Sequence, residues 1–307
     1  MFVLVTGGAG FIGSHTVDAL LENGAKVRIL DNLSTGSLEN IPMHHNSLEF
    51  VHGDTRDNTC LAACMKGITH VLHLAAQVSV PISIQDPLIS HSINVTGFLN
   101  VLDAARLAGV ARVVHASSAA VYGIPLELPL TEDSKTVPLS PYGLEKLVMD
   151  QYATLFRQLY NISTIGLRYF NVYGPRQNPD SPYSGVISKF AAWARQQQSF
   201  TLFGDGLQTR DFIYVKDVAH ANCAALVSTK QGVVNIATGH SVTILEITQL
   251  FSDIVEYPIS VEHKPARIGD IPYSSVRPLV MKNEFSVNKT VSLHNGLREL
   301  LEHTSMG

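Results

Sequence analysis

Two side chains four residues apart, Tyr142 and Lys146, are the first candidates for chemistry. On a helix that spacing puts both on one face. A free tyrosine ionises at about pH 10, too high for a base at neutral pH, but a neighbouring ammonium favours the phenolate. Tyr142 can then take a proton from a hydroxyl while a hydride leaves the same carbon. Tyr-x-x-x-Lys alone is common on solvated helix faces. Here Pro141 opens the helix, and Ser117-Ser118 closes the preceding apolar run. A serine at that edge, Ser118, can bond the same hydroxyl beside the tyrosine. Together the three residue types make an oxidoreductive site.

Such a site needs a hydride acceptor, and the start of the chain can hold one. Gly7, Gly10 and Gly13 follow an apolar run with the spacing G-x-x-G-x-x-G. Gly7 permits a tight turn, Gly10 lets the backbone approach a pyrophosphate, and Gly13 allows a helix to pack closely on a sheet. The helix start then offers free N–H groups and a positive dipole end to phosphates. Asp31 ends the next apolar run, 18 residues after Gly13. An acid there accepts from both ribose hydroxyls and repels a 2′-phosphate, which favours NAD over NADP. Asp54, in His52-Gly53-Asp54, sits at a further strand end. It reads equally as an adenine contact or as a turn former.

The elements that must position these residues alternate. Strands are expected at 2–5, 27–30, 48–51, 71–74, 113–116 and 164–167, with helices at 10–23, 87–108 and 141–160. That rhythm predicts α/β architecture, a Rossmann-type doubly wound parallel sheet. After Arg168 it weakens, and Gly, Pro, Asn and Asp collect at 174–185. A strand at 233–236 returns to the first sheet. The expected organisation is therefore a cofactor domain of 1–171 with about 211–236, interleaved with a smaller α/β substrate lobe of about 172–210 and 237–307.

Composition narrows the classes. The 307 residues are 45% hydrophobic and 16% charged, which excludes a disordered chain. The net charge is -4 with no basic run, so no nucleic-acid partner is expected. The apolar start stops at Gly7, too short for a signal core, and no run reaches the length of a membrane span. Neither a membrane partner nor glycosylation at Asn94, Asn161 or Asn288 is expected. Cys60, Cys64 and Cys223 suit a reducing, cytoplasmic setting. Cys60 and Cys64 lack a second ligand pair at zinc spacing, so they read as small buried helix residues and no metal is expected.

Taken together, the motifs resemble the extended short-chain dehydrogenase/reductases, and among them the UDP-sugar 4-epimerases that act on UDP-glucose or UDP-N-acetylglucosamine. The resemblance runs from Phe2 to about Asp270. It is carried by Thr6 to Gly13, Asp31-Asn32-Leu33, Leu74-Ala75-Ala76, Ser117 to Gly123, Tyr142 to Lys146, Arg168 to Pro175, and Arg210 to Ile213. It implies that Ser118, Tyr142 and Lys146 are catalytic. It places Gly7, Gly10, Phe11, Ile12, Gly13, Asp31, Asn32, Asp54, Leu74, Ala75 and Asn94 on NAD, together with Tyr142 and Lys146, and puts Tyr169 and Phe170 near the nicotinamide. For a UDP-sugar it implies that Asn171, Arg210 and Arg267 contact the diphosphate, and that Val186, Thr201 and Phe203 line the uracil pocket. Asp270 would hold the uridine ribose, and Ser274 would border the sugar.

Relatives that dehydrate or decarboxylate carry acidic residues after the catalytic serine or threonine. Here Ala119 and Ala120 stand there, and two methyl groups can neither donate nor accept a proton. The simplest remaining chemistry is 4-epimerisation with a retained NAD. Two alternatives stay open: a UDP-glucuronate epimerase/decarboxylase or 4,6-dehydratase type of enzyme, and a non-catalytic protein that binds NAD or UDP-sugar. Related enzymes pair the 87–108 and Tyr142 helices of two chains, so a homodimer is expected. After Ser275 the chain departs from the pattern at Val276-Arg277-Pro278, which leaves that end of the lobe without a role.

Overall fold

The run Phe2–Thr6 is apolar until its last residue, and a strand of that kind must be covered on both faces. It forms β1 at the centre of the fold, in a computed structural model that describes residues 1–178, 185–266 and 271–303. The chain continues through α1 (Phe11–Glu22), β2 (Lys26–Asp31), β3 (Leu48–His52), α2 (Asn58–Cys64), β4 (His70–His73), α3 (Val80–Gln85), α4 (Pro87–His91) and α5 (Gly97–Leu107). Next come β5 (Arg112–Ser118), α6 (Pro141–Tyr160), β6 (Ser163–Tyr169), β7 (Asn171–Tyr173), α7 (Val186–Arg195), β8 (Phe200–Phe203) and β9 (Thr209–Tyr214). Then follow α8 (Val215–Val227), β10 (Gly232–Ile236), β11 (Ser241–Thr243), α9 (Ile244–Val255), β12 (Val261–Lys264), α10 (Leu279–Glu284) and α11 (Leu293–His303).

Seven strands form one parallel sheet in the order β10-β6-β5-β4-β1-β2-β3. The order turns back between β1 and β4, where a Rossmann-type sheet opens its ligand crevice at the carboxyl ends. Side chains alternate between two cores. Val3, Val5, Ile29, Leu72 and Val114 face the side packed by α1 and α8, whereas Leu4, Leu30, Val71 and Val113 face α2, α5 and α6. Each such fully buried side chain contributes about 1.5–3 kcal/mol. Cys64 lies in the second core with Cys60 packed against it, and all three cysteines are free.

The helix that carries Tyr142 is closed at both ends by local chemistry. The Ser140 hydroxyl accepts from the Gly143 N–H at 3.1 Å, Pro141 fills the first turn, and Asn161 ends α6 in the left-handed region at φ 57°. The helix expected over 87–108 is instead α4 and α5, joined by one wide π-type turn at Ser92–Thr96. That turn includes Asn94, which is fully buried.

The smaller lobe has sheets β11-β9-β7 and β12-β8, and an aromatic core in which Phe190 and Phe200 stack at 4.2 Å. β9 pairs with β7 and β11, while its Ile213 already enters the first core, so the chain rejoins the large sheet's layers through β9 and α8. It also returns once more. Met281 and Phe285, four apart, enter the first core, with α10 against edge strand β10, which would otherwise lack apolar cover there. No helix among the described residues is long and apolar enough to cross a membrane, and none of their His, Cys, Asp and Glu side chains form a metal-holding group of three.

Candidate active site

The glycine loop is built by exclusion. Gly7 has φ +73°, and a Cβ there would lie 2.6 Å from the Ala75 nitrogen. A Cβ on Gly13 would lie 2.1 Å from the Gly7 carbonyl oxygen, so only glycine lets α1 sit this close to the turn. Gly10 caps α1 with no side-chain acceptor, which leaves the first N–H groups at Phe11 and Ile12 for a ligand. Leu74 and Ala75 form the facing wall, their N–H groups bonded to the Thr6 carbonyl and hydroxyl at 3.0 and 3.3 Å. A cradle that any Cβ would fill, beside an uncapped helix start, fits the pyrophosphate of a dinucleotide.

Asp31 ends β2 nearly buried, and its two oxygens accept from the Ala9 and Leu33 N–H groups at 2.9 and 2.8 Å. It therefore shapes the loop. Asp54 is more occupied than the sequence suggested. Arg56 donates to both its oxygens at 2.9 and 2.8 Å, and the Asn32 amide donates at 2.9 Å. The Arg56 hydrogen bonds hold the Asp54 carboxyl well below the ordinary range. Asn94 makes three amide bonds inside the protein: it accepts from the Gln77 N–H and donates to the Gln77 carbonyl and to Glu145. It thereby braces the loop after β4.

At the ends of β5 and α6 the three catalytic candidates meet. The Ser118 hydroxyl lies close enough to the Tyr142 phenol to lower it, and it accepts from the Ala120 N–H at 3.2 Å. Lys146 is 2% exposed; its Nζ donates to the Ala116 carbonyl at 2.9 Å and lies 5.8 Å from the Tyr142 ring centre. Desolvation brings the ammonium down to about 8, opposed by the negative charges of Asp150 and Glu145. The expected effect of the neighbouring ammonium on the phenol meets an opposing one. Burial raises Tyr142 above its ordinary value, the Ser118 hydroxyl opposes this, and Glu145 adds to the rise.

Sequence reasoning missed Glu145 and Asp150. Both are nearly buried on α6, and Glu145 accepts from Ser90 and Asn94 at 2.8 and 2.6 Å. The signal was present, since Asp150 continues the Tyr142, Lys146 spacing of four.

The two aromatic residues at the end of β6 are packed from within the protein. Tyr169 is level with Ser118 in the sheet, but its hydroxyl donates to Asn222 at 2.7 Å beneath α8, so its ring belongs to the core. Phe170 packs with Val121, Tyr122, Leu130, Ala237 and Val276.

On the substrate side, the Asn171 amide donates to the Asp211 carbonyl at 2.8 Å. Arg210 donates to the carbonyls of Thr209 and Ile271 at 2.8 and 2.6 Å. Val186 begins α7, half-buried against the lobe core, while Thr201 and Phe203 alternate along β8 with the core residues Phe200 and Leu202. Ser274 is half-buried, with its N–H on Thr209 and its carbonyl accepting from Ser241 at 2.6 Å. Arg267 and Asp270 lie outside the described residues. The departing segment has a role after all. The Leu130 N–H donates to Ser275 and the Arg277 N–H to Leu130, both at 2.8 Å, which seats Val276 beside Phe170.

The profile of the NAD-dependent epimerase/dehydratase family matches residues 3–237. A UDP-glucose 4-epimerase of Mycolicibacterium smegmatis is 38% identical over 308 residues, 98% of each chain. Among solved structures, a UDP-N-acetylglucosamine 4-epimerase of Methanobrevibacter ruminantium, in complex with UDP-N-acetylmuramic acid, superposes with a TM-score of 0.95 at 39% identity, covering 99% of this chain and 98% of that one. The Thermus thermophilus UDP-glucose 4-epimerase complex with NAD gives 0.91 at 37% identity, covering 99% of both.

Asp31 offers the first test of the cofactor site. Losing a charge-assisted bond to the ribose removes about 1.5–3 kcal/mol, or about ten- to a hundredfold in affinity. Asp31→Ala should therefore weaken NAD by that factor relative to NADP, measured by calorimetric titration of both. An unchanged NAD to NADP ratio would detach this carboxylate from the ribose.

Proposed function

The chain belongs to the NAD-dependent epimerase/dehydratase family, and on that premise we propose that it inverts C4 of a UDP-hexose or UDP-N-acetylhexosamine with a retained NAD. The observation that carries this reading is the joining of Ser118, Tyr142 and Lys146 at one sheet edge, with Ala119 and Ala120 directly after Ser118. NAD, held by the glycine loop and Asp31, would supply the hydride acceptor and donor for C4. Ser118 and Tyr142 hold the 4-hydroxyl between them, and Tyr142 takes and gives back its proton. Lys146, fixed on the Ala116 carbonyl, keeps a positive charge beside the phenol. Burial raises Tyr142, so the phenolate needs the further positive charge of the nicotinamide ring. Elimination would need another acid or base, and neither alanine supplies one.

Incubating the purified protein with UDP-glucose, UDP-galactose and their N-acetylated counterparts, without added NAD, tests the reading directly. The 4-epimer should form; no conversion of any of the four would overturn it. Tyr142→Phe keeps the ring and removes the proton carrier. Turnover should fall at least about a hundredfold with little change in melting temperature.

Ser274 bears on which sugar is taken. A small residue beside the sugar leaves room for an N-acetyl group at C2, and relatives named for UDP-glucose and for UDP-N-acetylglucosamine both resemble this chain. Ser274→Tyr should reduce turnover of the acetylated sugars at least about tenfold more than that of UDP-glucose, because forced overlap acts on one substrate alone. Equal losses would remove the gatekeeper role.

The same reading includes a homodimer. Leu144, Leu155 and Leu159 are exposed along α6, opposite its buried Met149 and Ala153, and Ile84 and Leu88 are exposed on α3 and α4. An apolar stripe of this kind suits an isologous helix pairing. Light scattering at micromolar concentration should give twice the chain mass; a monomer would contradict the pairing. A cytoplasmic setting belongs to the reading too, supported by three unpaired cysteines.

A further inference from the structure

Four successive residues of β5 are fastened to the helix that carries Tyr142. His115 Nε2 lies 3.0 Å from one Asp150 oxygen, the Ala116 carbonyl accepts from Lys146 at 2.9 Å, the Ser117 hydroxyl donates to the other Asp150 oxygen at 3.1 Å, and Ser118 meets Tyr142. Asp150 makes two of these four links, and Arg168 Nε reaches the same carboxylate at 3.1 Å from β6. Tyr142, Lys146 and Asp150 follow one another at intervals of four on α6, so the carboxylate lies one turn beneath the amine.

We propose that Asp150 is a positioning residue, which fixes the catalytic helix on the strand that ends in Ser118 and keeps the buried Lys146 a cation. The inference rests on the epimerase reading for its purpose and on the geometry for its substance. The charged and titratable groups around Lys146 are Tyr142, Glu145 and Asp150 from α6, His73 from β4, His115 from β5 and Arg168 from β6. His73 is held neutral by burial, then by Lys146 and His115, so it adds no charge. Glu145 is engaged by Ser90 and Asn94 on the far side. Asp150 is the carboxylate bonded to the sheet strands β5 and β6, and of the two its negative charge opposes the desolvation of the ammonium more strongly.

The sign follows directly. Without that negative charge Lys146 sheds its proton at lower pH, and the alkaline limb of kcat moves down with it. The test follows the Cε resonance of Lys146 by NMR in protein labelled with 13C-lysine, assigned with Lys146→Arg. The parent should titrate near about 8. Asp150→Asn should titrate at least about one unit lower, as expected for a lost opposite charge. The alkaline limb of kcat should shift equally, KM should change little, and Asp150→Glu should restore both. An unchanged Lys146 midpoint, with kcat lowered equally at every pH, would overturn the proposal and leave Asp150 a structural residue. Should Asp150→Asn fail to fold, Arg168→Gln removes the cation paired with Asp150 and should raise the midpoint; no rise would likewise overturn it. The resonance reports on Lys146 whether or not a UDP-sugar turns over, so failure of the epimerase reading is a separate result.

Discussion

A lysine ammonium buried at the edge of a parallel sheet sets the terms for the rest of the structure. Taking such a charge out of water costs several kcal/mol unless it is compensated nearby. Lys146 has one carbonyl within hydrogen-bond reach, so the remaining compensation comes from the carboxylates at 145 and 150. Those carboxylates need partners in turn. Glu145 takes Ser90 and Asn94, and Asp150 takes His115, Ser117 and Arg168. Arg168 continues to the Tyr122 hydroxyl, which donates to Asn235 on β10. These buried polar residues form one connected network around a single charge. The network reaches from the loop after β4 to the far edge strand.

The cofactor end obeys a different constraint, that of distance. α1 approaches the turn after β1 so closely that residues 7 and 13 cannot carry a Cβ. Asp31 draws the Ala9 N–H toward β2 and so fixes the outer side of the same turn. Two contacts then tie α1 to the substrate lobe: His15 to the Pro175 carbonyl at 3.0 Å, and Asp18 to Arg176 at 2.8 Å. The helix that follows the glycine turn therefore also anchors the chain after β7.

What could be read from the sequence was what depends on near neighbours in the chain. The strand–turn–helix at 2–22, the capped helix at 141–160 and the Tyr142, Lys146 pairing are written in consecutive residues. What could not be read depends on partners far away. Nothing local in Tyr169 says that its phenol will meet Asn222, and nothing near Val276 names Leu130. Asp54 looked equally like a ligand or a turn residue because its partner Arg56, though two positions away, binds only in the folded loop. β9 reads like any short strand, and only its pairing with β7 and β11 assigns it to a sheet.

In NAD-dependent 4-epimerisation the hydrogen at C4 of the sugar leaves as hydride and returns to the same carbon. The most direct test uses UDP-sugar carrying deuterium at C4, turned over in ordinary water without added NAD, with the product read by mass spectrometry and NMR. The account predicts a 4-epimer that keeps the deuterium on C4, with none passed to solvent. A product carrying solvent hydrogen at C4 would contradict it, because the carbon would then have been deprotonated rather than oxidised.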